Sequence, residues 1–209
     1  MITNLTTGDN VTNELNYNIT NLFPVSIHQI DVNGFDKVKD ELINYAYDLQ
    51  KQNPVGRQIS NRGGWQSPTF QVNNKDDLLH SFLIKCFTKF PTIKESVKIS
   101  ADAWVNINKP NNYNAKHYHP TCDLSGVVWL KAPKNSGAIT FENPHEFQTY
   151  NLIESYTKEF QDSNSYYHSW FFKPTEGRVL IFPSHLYHDV GENKSTEDRI
   201  SVSFNIRLK

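Results

Sequence analysis

From Ile99 onwards the chain alternates apolar and polar side chains with a period of two, whereas before it apolar side chains recur every three or four residues. In the first half, Phe35, Val38, Leu42, Tyr45, Ala46 and Leu49 fall on one face of a helix. Leu78, Leu79, Phe82, Leu83, Cys86 and Phe87 do the same for a second helix over residues 75–90. Asn33 or Asp31 is placed to cap the first, with Asp36 in its opening turn and Pro54 closing it; Pro91 stops the second. Leu22 to Ile27 reads as a strand ahead of both. In the second half, Ile99, Ala101, Ala103, Val105 and Ile107 alternate with Ser100, Asp102, Trp104 and Asn106. Further strands are predicted over residues 125–130, 138–141, 170–173 and 178–182. Clearest is 199–208, with Ile200, Val202, Phe204, Ile206 and Leu208 on one face and Ser201, Ser203, Asn205 and Arg207 on the other. Two helices followed by at least six strands predict a mainly β fold, a double sheet backed by helices, and not a nucleotide-binding βαβ unit. No glycine-rich phosphate loop and no internal repeat occurs.

Three stretches escape this periodicity. Ser60-Asn61-Arg62-Gly63-Gly64-Trp65-Gln66-Ser67 combines glycines for tight turning with a Trp that needs a surface. It reads as a packed loop, or as the wall or lid of a pocket. Residues 142–169 are polar and tyrosine-rich; Tyr150, Tyr156, Tyr166 and Tyr167 are candidates to line a substrate groove, the alternative being a surface insertion or a dimer contact. Residues 1–21 form a polar arm, leaving 22–209 as one domain. The arm lacks the basic and apolar regions of a signal peptide, and no run of about eighteen apolar residues is available to span a membrane. A cytoplasmic protein follows, in a cell or in the host of a virus.

At 209 residues, 37% of them hydrophobic and 13% aromatic, the chain can bury a full core. A formal net charge of -1 gives no global bias toward nucleic acid or membrane. Cys86 and Cys122 are too few for a disulfide scaffold. Cys86 belongs to the core. Cys122 follows His119 closely enough to be weighed as a ligand.

The candidate chemistry lies in the histidines. A strand points His117 and His119 to one face, and a third imidazole can reach them from another strand. His185 and His188 straddle the end of the strand over Val179 to Phe182; His188 is the better choice, with His185 at the rim. His28, His80 and His145 stand alone. The third metal position falls to His119, to water or to Asp123. Arg199 and Ser201 share a face of the last strand, where a guanidinium and a hydroxyl can clamp a carboxylate. Side chains 117 and 188 more than about 8 Å apart are incompatible with imidazole–metal bonds of roughly 2 Å.

At these residues the chain resembles the iron(II)- and 2-oxoglutarate-dependent oxygenases, and within them the prolyl-hydroxylase-like branch found in bacteria and marine phages. The resemblance is carried by residues 60–67, His117-Tyr118-His119-Pro120, 124–130, the run from Gly177 through Ser184 to His188, and 198–205. It implies a double-stranded β-helix, jelly-roll and cupin-like, with His117 as first iron ligand and His188 as last. Arg199 is then expected to pair with the distal carboxylate of 2-oxoglutarate, helped by Ser201, with Asn106 and Trp129 completing the cofactor-binding set. The general family has an acidic residue where His119 stands, whereas the narrower branch looks to have His-x-His. The implied activity is a dioxygenase using Fe(II), 2-oxoglutarate and dioxygen to hydroxylate a C–H bond of a small molecule or peptide, a prolyl or other amino-acid residue. The rival readings are a cupin-like metalloenzyme that does not use 2-oxoglutarate and a non-catalytic jelly-roll binding protein. A C2 homodimer is the default expectation if the protein assembles.

Overall fold

The structure, a computed structural model, describes residues 17–88, 92–145 and 152–209. Its strands are β1 (His28–Asp31), β2 (Asn61–Arg62), β3 (Trp65–Gln66), β4 (Phe70–Gln71), β5 (Ile99–Asn108), β6 (Tyr113–His117), β7 (Leu124–Lys131), β8 (Ile139–Glu142), β9 (Ser169–Phe172), β10 (Arg178–Pro183), β11 (His188–Val190) and β12 (Arg199–Leu208). Among the described residues three α-helices accompany them: α1 (Lys39–Gln52), α2 (Leu78–Thr88) and α3 (Lys158–Asn164). A seven-stranded sheet runs β1-β10-β7-β12-β5-β3, with β4 also on β5, and a five-stranded sheet runs β2-β6-β11-β8-β9. Among the described residues the two sheets stay separate, so the expected β-helix is observed as a mainly β double sheet without barrel closure.

The two-residue period explains how the large sheet buries both faces. Ile200, Val202, Phe204 and Ile206 of β12 join Ala101, Val105, Val128 and Ile181 in one core with Leu42, Leu79, Phe82 and Leu83 of the helices. Burying such a side chain stabilises the fold by roughly 1.5–3 kcal/mol. Residues of the opposite parity, Val127, Trp129, Leu180 and Phe182, pack instead on Ile139 and Phe141 of the small sheet. Ser201, Ser203 and Asn106 also have this parity and line a cavity between the sheets. β12 and β5 pair antiparallel from Arg199↔Asn108 to Leu208↔Ile99, which holds the polar row in register.

Several expectations need correction. Residues Leu22 to Ile27 form no strand: Phe23 adopts φ 56, Pro24 offers no donor, and Leu22 and Phe23 stay exposed. The first strand starts at His28, where Ile181 supplies a pairing edge. Neither Asn33 nor Asp31 caps the first helix. A 3-10 turn, Phe35–Lys37, starts after Gly34 and α1 follows with no side-chain cap, while Asp31 pairs with Arg178. The second helix begins only at Leu78, because Asp77 accepts the His80 N–H at 3.1 Å and so caps it. Phe90 and Pro91, its expected end, lie outside the described residues. Strands β2 to β4 are too short to show a period, and β6 ends at His117, short of the His119 that the strand reading included. Within 142–169, residues 146–151 are outside the described set; the remainder includes α3, capped by Thr157 through a 3.2 Å bond from the Phe160 N–H.

Candidate metal centre

Strand pairing builds the centre. His117 ends β6, and its partner across the ladder is His188, the first residue of β11. Their ring centroids are 4.3 Å apart. Each ring is fixed by its own strand: Nδ1–H of His117 donates to the Ala115 carbonyl at 2.7 Å, and Nδ1–H of His188 to the Leu186 carbonyl at 2.9 Å. A carbonyl only accepts, so both protons sit on Nδ1 and both Nε2 lone pairs are left for a ligand.

His119 arrives differently from the way the strand pattern predicts. β6 stops at His117, and His119 lies in the following turn, where its N–H donates to the Ser184 carbonyl at 2.9 Å. That contact, with Thr121 at φ 69, ties the turn to the loop ahead of His188. The His119 ring lies 5.0 Å from His117 and 5.1 Å from His188, tilted against Trp104. One ring nitrogen of each histidine lies within 4.8 Å of the other two. Small ring rotations bring such a trio to the ~2 Å bonds of a bound metal.

Burial is the main force on the protonation of all three. It lowers the His117 pKa; it drives His119 to about 3 and His188 to about 4, with repulsion from neighbouring imidazoles adding to both. The neutral form, which binds metal, is therefore present throughout the neutral range. In the metal-free protein the unfolded chain takes up these protons near pH 6.5, and the folded chain takes them up for His119 and His188 only near pH 3 to 4. Stability is thus fully present above about pH 6.5 and lost as the pH falls toward 4. Thermal unfolding of metal-free protein between pH 7 and 4 should show a falling midpoint, with a shallower fall in His119→Gln. A midpoint flat over that window contradicts this account.

Arg199 is 1% exposed and lines the same cavity, of about 310 Å³. Its Nη1 donates to the carbonyls of Ser136, Gly137 (3.4 Å) and Gly191 (3.0 Å), while Nη2 has no partner. Burial lowers its pKa to about 10, which leaves it charged at neutral pH. The anchor needs glycine at 137: φ is 89, and a Cβ there falls 2.1 Å from the Gly191 carbonyl oxygen and 2.7 Å from Nη1. Asn106 donates to Ser203 Oγ at 3.0 Å and leaves Oδ1 without a partner. Unsatisfied buried polar atoms cost ~1–3 kcal/mol each, so a cavity holding two of them is made for a polar occupant. Ser201 and Trp129 line it as well. Three imidazole nitrogens, an anchored guanidinium with a free edge and a polar wall fit iron(II) and a dicarboxylate.

The other sequence candidates fall elsewhere. Asp123 accepts the Leu208 N–H at 2.8 Å and is not in the metal-holding group. The Cys122 thiol contacts the His119 carbonyl and Ser125 Oγ, and His185 is exposed on the turn. The loop over 60–67 is both packed and a wall: Trp65 is buried, while Ser60 and Gln66 line the cavity. Of the candidate tyrosines among the described residues, Tyr156, Tyr166 and Tyr167 do not line it. Tyr156 and Tyr166 pack around Phe160, Tyr167 packs on Trp170 beside a separate cleft, and Tyr150 is outside the described residues. Sequence reasoning missed Arg57, Ile59 and Thr69 at this cavity. No periodicity marks them, since they flank the strands that hold the loop.

A metal-dependent enzyme that also holds a carboxylate-bearing reactant is the class these groups define. Residues 102–205, from β5 to β12, match the model of a family described as "Putative 2OG-Fe(II) oxygenase". No curated protein matches the sequence. Among solved structures, the chain is similar to a Pseudomonas putida prolyl-4-hydroxylase (TM-score 0.61, 12% identity, covering 88% of this chain and 92% of that one). It is also similar to a Trichoplax adhaerens prolyl hydroxylase in complex with a hypoxia inducible factor oxygen degradation domain peptide fragment (TM-score 0.60, 11% identity, 87% and 83% covered). A third likeness is to HygX from Streptomyces hygroscopicus with nickel and 2-oxoglutarate bound (TM-score 0.53, 9% identity, 88% and 83% covered). At such identities the structural likeness is one of fold. The chain belongs to the iron(II)- and 2-oxoglutarate-dependent oxygenases. It is an enzyme that uses iron(II) and 2-oxoglutarate.

Proposed function

We propose that this enzyme hydroxylates a C–H bond of a small molecule or peptide, with a prolyl or other amino-acid residue as the acceptor. His117, His119 and His188 would hold the iron, His117 and His188 through the Nε2 that their carbonyl contacts leave free. Arg199 Nη2 and Ser201 receive the distal carboxylate of 2-oxoglutarate, with Asn106 and Trp129 along its flank. When bound, iron(II) and 2-oxoglutarate supply the oxidation of the C–H bond by dioxygen, releasing succinate and carbon dioxide. The chain's own share is geometry and dryness. The Ala115 and Leu186 carbonyls hold two imidazoles in the ligating tautomer, the anchored Nη1 aims the free edge of Arg199, and Val127, Ile139 and Phe182 wall out water. In this reading the facing sheets are the two halves of a double-stranded β-helix, carried by residues 22–209 as one domain behind a polar arm. A cytoplasmic location suits the two free cysteines, and no helix among the described residues is long and apolar enough to cross a membrane.

The observation that carries the proposal is the unpartnered, buried guanidinium edge in the same cavity as the three imidazoles. The test is succinate release from 2-oxoglutarate with added iron(II), first without a second substrate and then with prolyl peptides. Iron uptake with no turnover of 2-oxoglutarate favours the cupin-like alternative, and uptake of neither favours a binding protein. Stimulation by prolyl peptides supports the acceptor named here, an acceptor suggested by the two prolyl hydroxylases of similar fold.

A further inference from the structure

Among the described residues, none of the side chains lining the metal cavity is acidic. With a neutral imidazole at position 119, the charges there are the dication of the iron, the dianion of 2-oxoglutarate and the two arginines, Arg199 and Arg57, with Asp189 acting on His117 from outside the lining. Iron and cosubstrate cancel, so the arginines leave the cavity electropositive toward anything that enters.

Arg57 is the arginine at the opening. It is exposed and lines the cavity, and its Nη1 donates to Thr69 Oγ1 at 3.2 Å. Among the described residues, no acidic group lies within ion-pair distance of it; the acids that do pair are matched with Lys39, Lys51, Lys116, Lys131, Lys158, Arg178 and Arg207. The backbone that displays it is built with care. Its N–H donates to the Gln66 carbonyl at 2.8 Å, and its carbonyl accepts from buried Asn61 Nδ2 at 3.0 Å. Asn61 also donates to the Gly64 carbonyl at 2.6 Å and accepts the Ile59 N–H at 2.7 Å. Just ahead, Gly56 turns at φ 61, where a Cβ falls 2.6 Å from both the Trp65 ring and the Gln66 carbonyl oxygen. The indole N–H of Trp65 anchors this turn on the Asn53 carbonyl at 2.8 Å. A solvated loop needs no such scaffold; a loop that presents one cation to a cavity does.

We propose that Arg57, with Thr69 beside it, is the contact for an anionic group of the substrate, a carboxylate or a phosphate, held at the cavity opening while the rest reaches toward the iron. This rests on the oxygenase reading above and names the substrate class for it. The test uses protein loaded with iron(II) and excess 2-oxoglutarate under anaerobic conditions, titrated calorimetrically with acetate and with inorganic phosphate at constant ionic strength. At least one anion is expected to bind saturably. In Arg57→Gln that binding weakens at least about tenfold, as the loss of a charge-assisted hydrogen bond requires, and Arg57→Lys recovers part of it. Preference for acetate marks a carboxylate-bearing substrate, preference for phosphate a phosphorylated one. If neither anion binds, or Arg57→Gln binds as wild type does, the proposal is overturned while the oxygenase reading stands. If the wild-type protein takes up neither iron nor 2-oxoglutarate, the oxygenase reading itself fails and takes this one with it.

Discussion

His188→Ala should give a folded protein that no longer retains iron and no longer converts 2-oxoglutarate. His188 is 3% exposed, faces His117 directly across the β6–β11 ladder and is locked by its bond to the Leu186 carbonyl. It is therefore the ligand with the least freedom to be replaced by a neighbour; His185 is exposed on the turn and is not in the metal-holding group. Removing a partner in the outer shell of a metal site commonly costs 10–100-fold in affinity, and removing one of three direct donors should cost at least about a hundredfold. The fold should survive, because β11 is held through its backbone by β6 on one side and β8 on the other. The packing of the ring on Phe141 and Phe182 is lost as well, at a cost of about 1–3 kcal/mol in stability. Iron stoichiometry after purification, succinate release and the unfolding midpoint separate these effects. Full iron occupancy in this variant would remove the basis for the metal centre.

Arg199→Leu should keep the iron and lose the cosubstrate. Among the described residues its guanidinium is the sole side-chain donor to the carbonyls of Ser136, Gly137 and Gly191, so its loss strands the buried Ser136 acceptor at ~1–3 kcal/mol and leaves the two part-buried ones without it. The midpoint of unfolding should fall accordingly. The functional effect is separate: deleting one partner of a buried charged pair costs about 2–5 kcal/mol, so KM for 2-oxoglutarate should rise by roughly 30-fold or more. Arg199→Lys keeps a charge but cannot both hold the carbonyls and present a second planar edge, and should fall between the two. Iron content at the wild-type level, with a raised KM for 2-oxoglutarate, identifies a carboxylate contact. An unchanged KM shows that the free Nη2 edge serves some other group.

The parts of this enzyme that follow from local stereochemistry were legible in the chain. The alternation over 199–208 corresponds to β12 residue for residue, and the apolar faces of both helices sit in the core as their spacing indicates. Boundaries were less legible where the deciding partner is remote. Leu22 to Ile27 has strand-like composition, yet β10 pairs with His28–Asp31, and a positive φ at Phe23 ends the extended run. The start of α2 moved to Leu78 because Asp77 competes as a cap, a local signal present in the sequence and overlooked. Two-residue strands such as β2 and β3 carry no period at all, and with them went the position of Arg57.

By itself, the order of residues determined which donors exist and which faces they share. His117, Arg199 and Ser201 take their sides of their strands from a backbone whose side chains alternate whatever surrounds it. Only the tertiary structure decided that His188 faces His117 directly across a ladder, that His119 joins them from beyond its strand, and that Asp123 spends its carboxylate on the Leu208 N–H. Those choices depend on register between distant strands and on hydrogen bonds closed across a turn, and neither is encoded in the spacing of neighbouring residues.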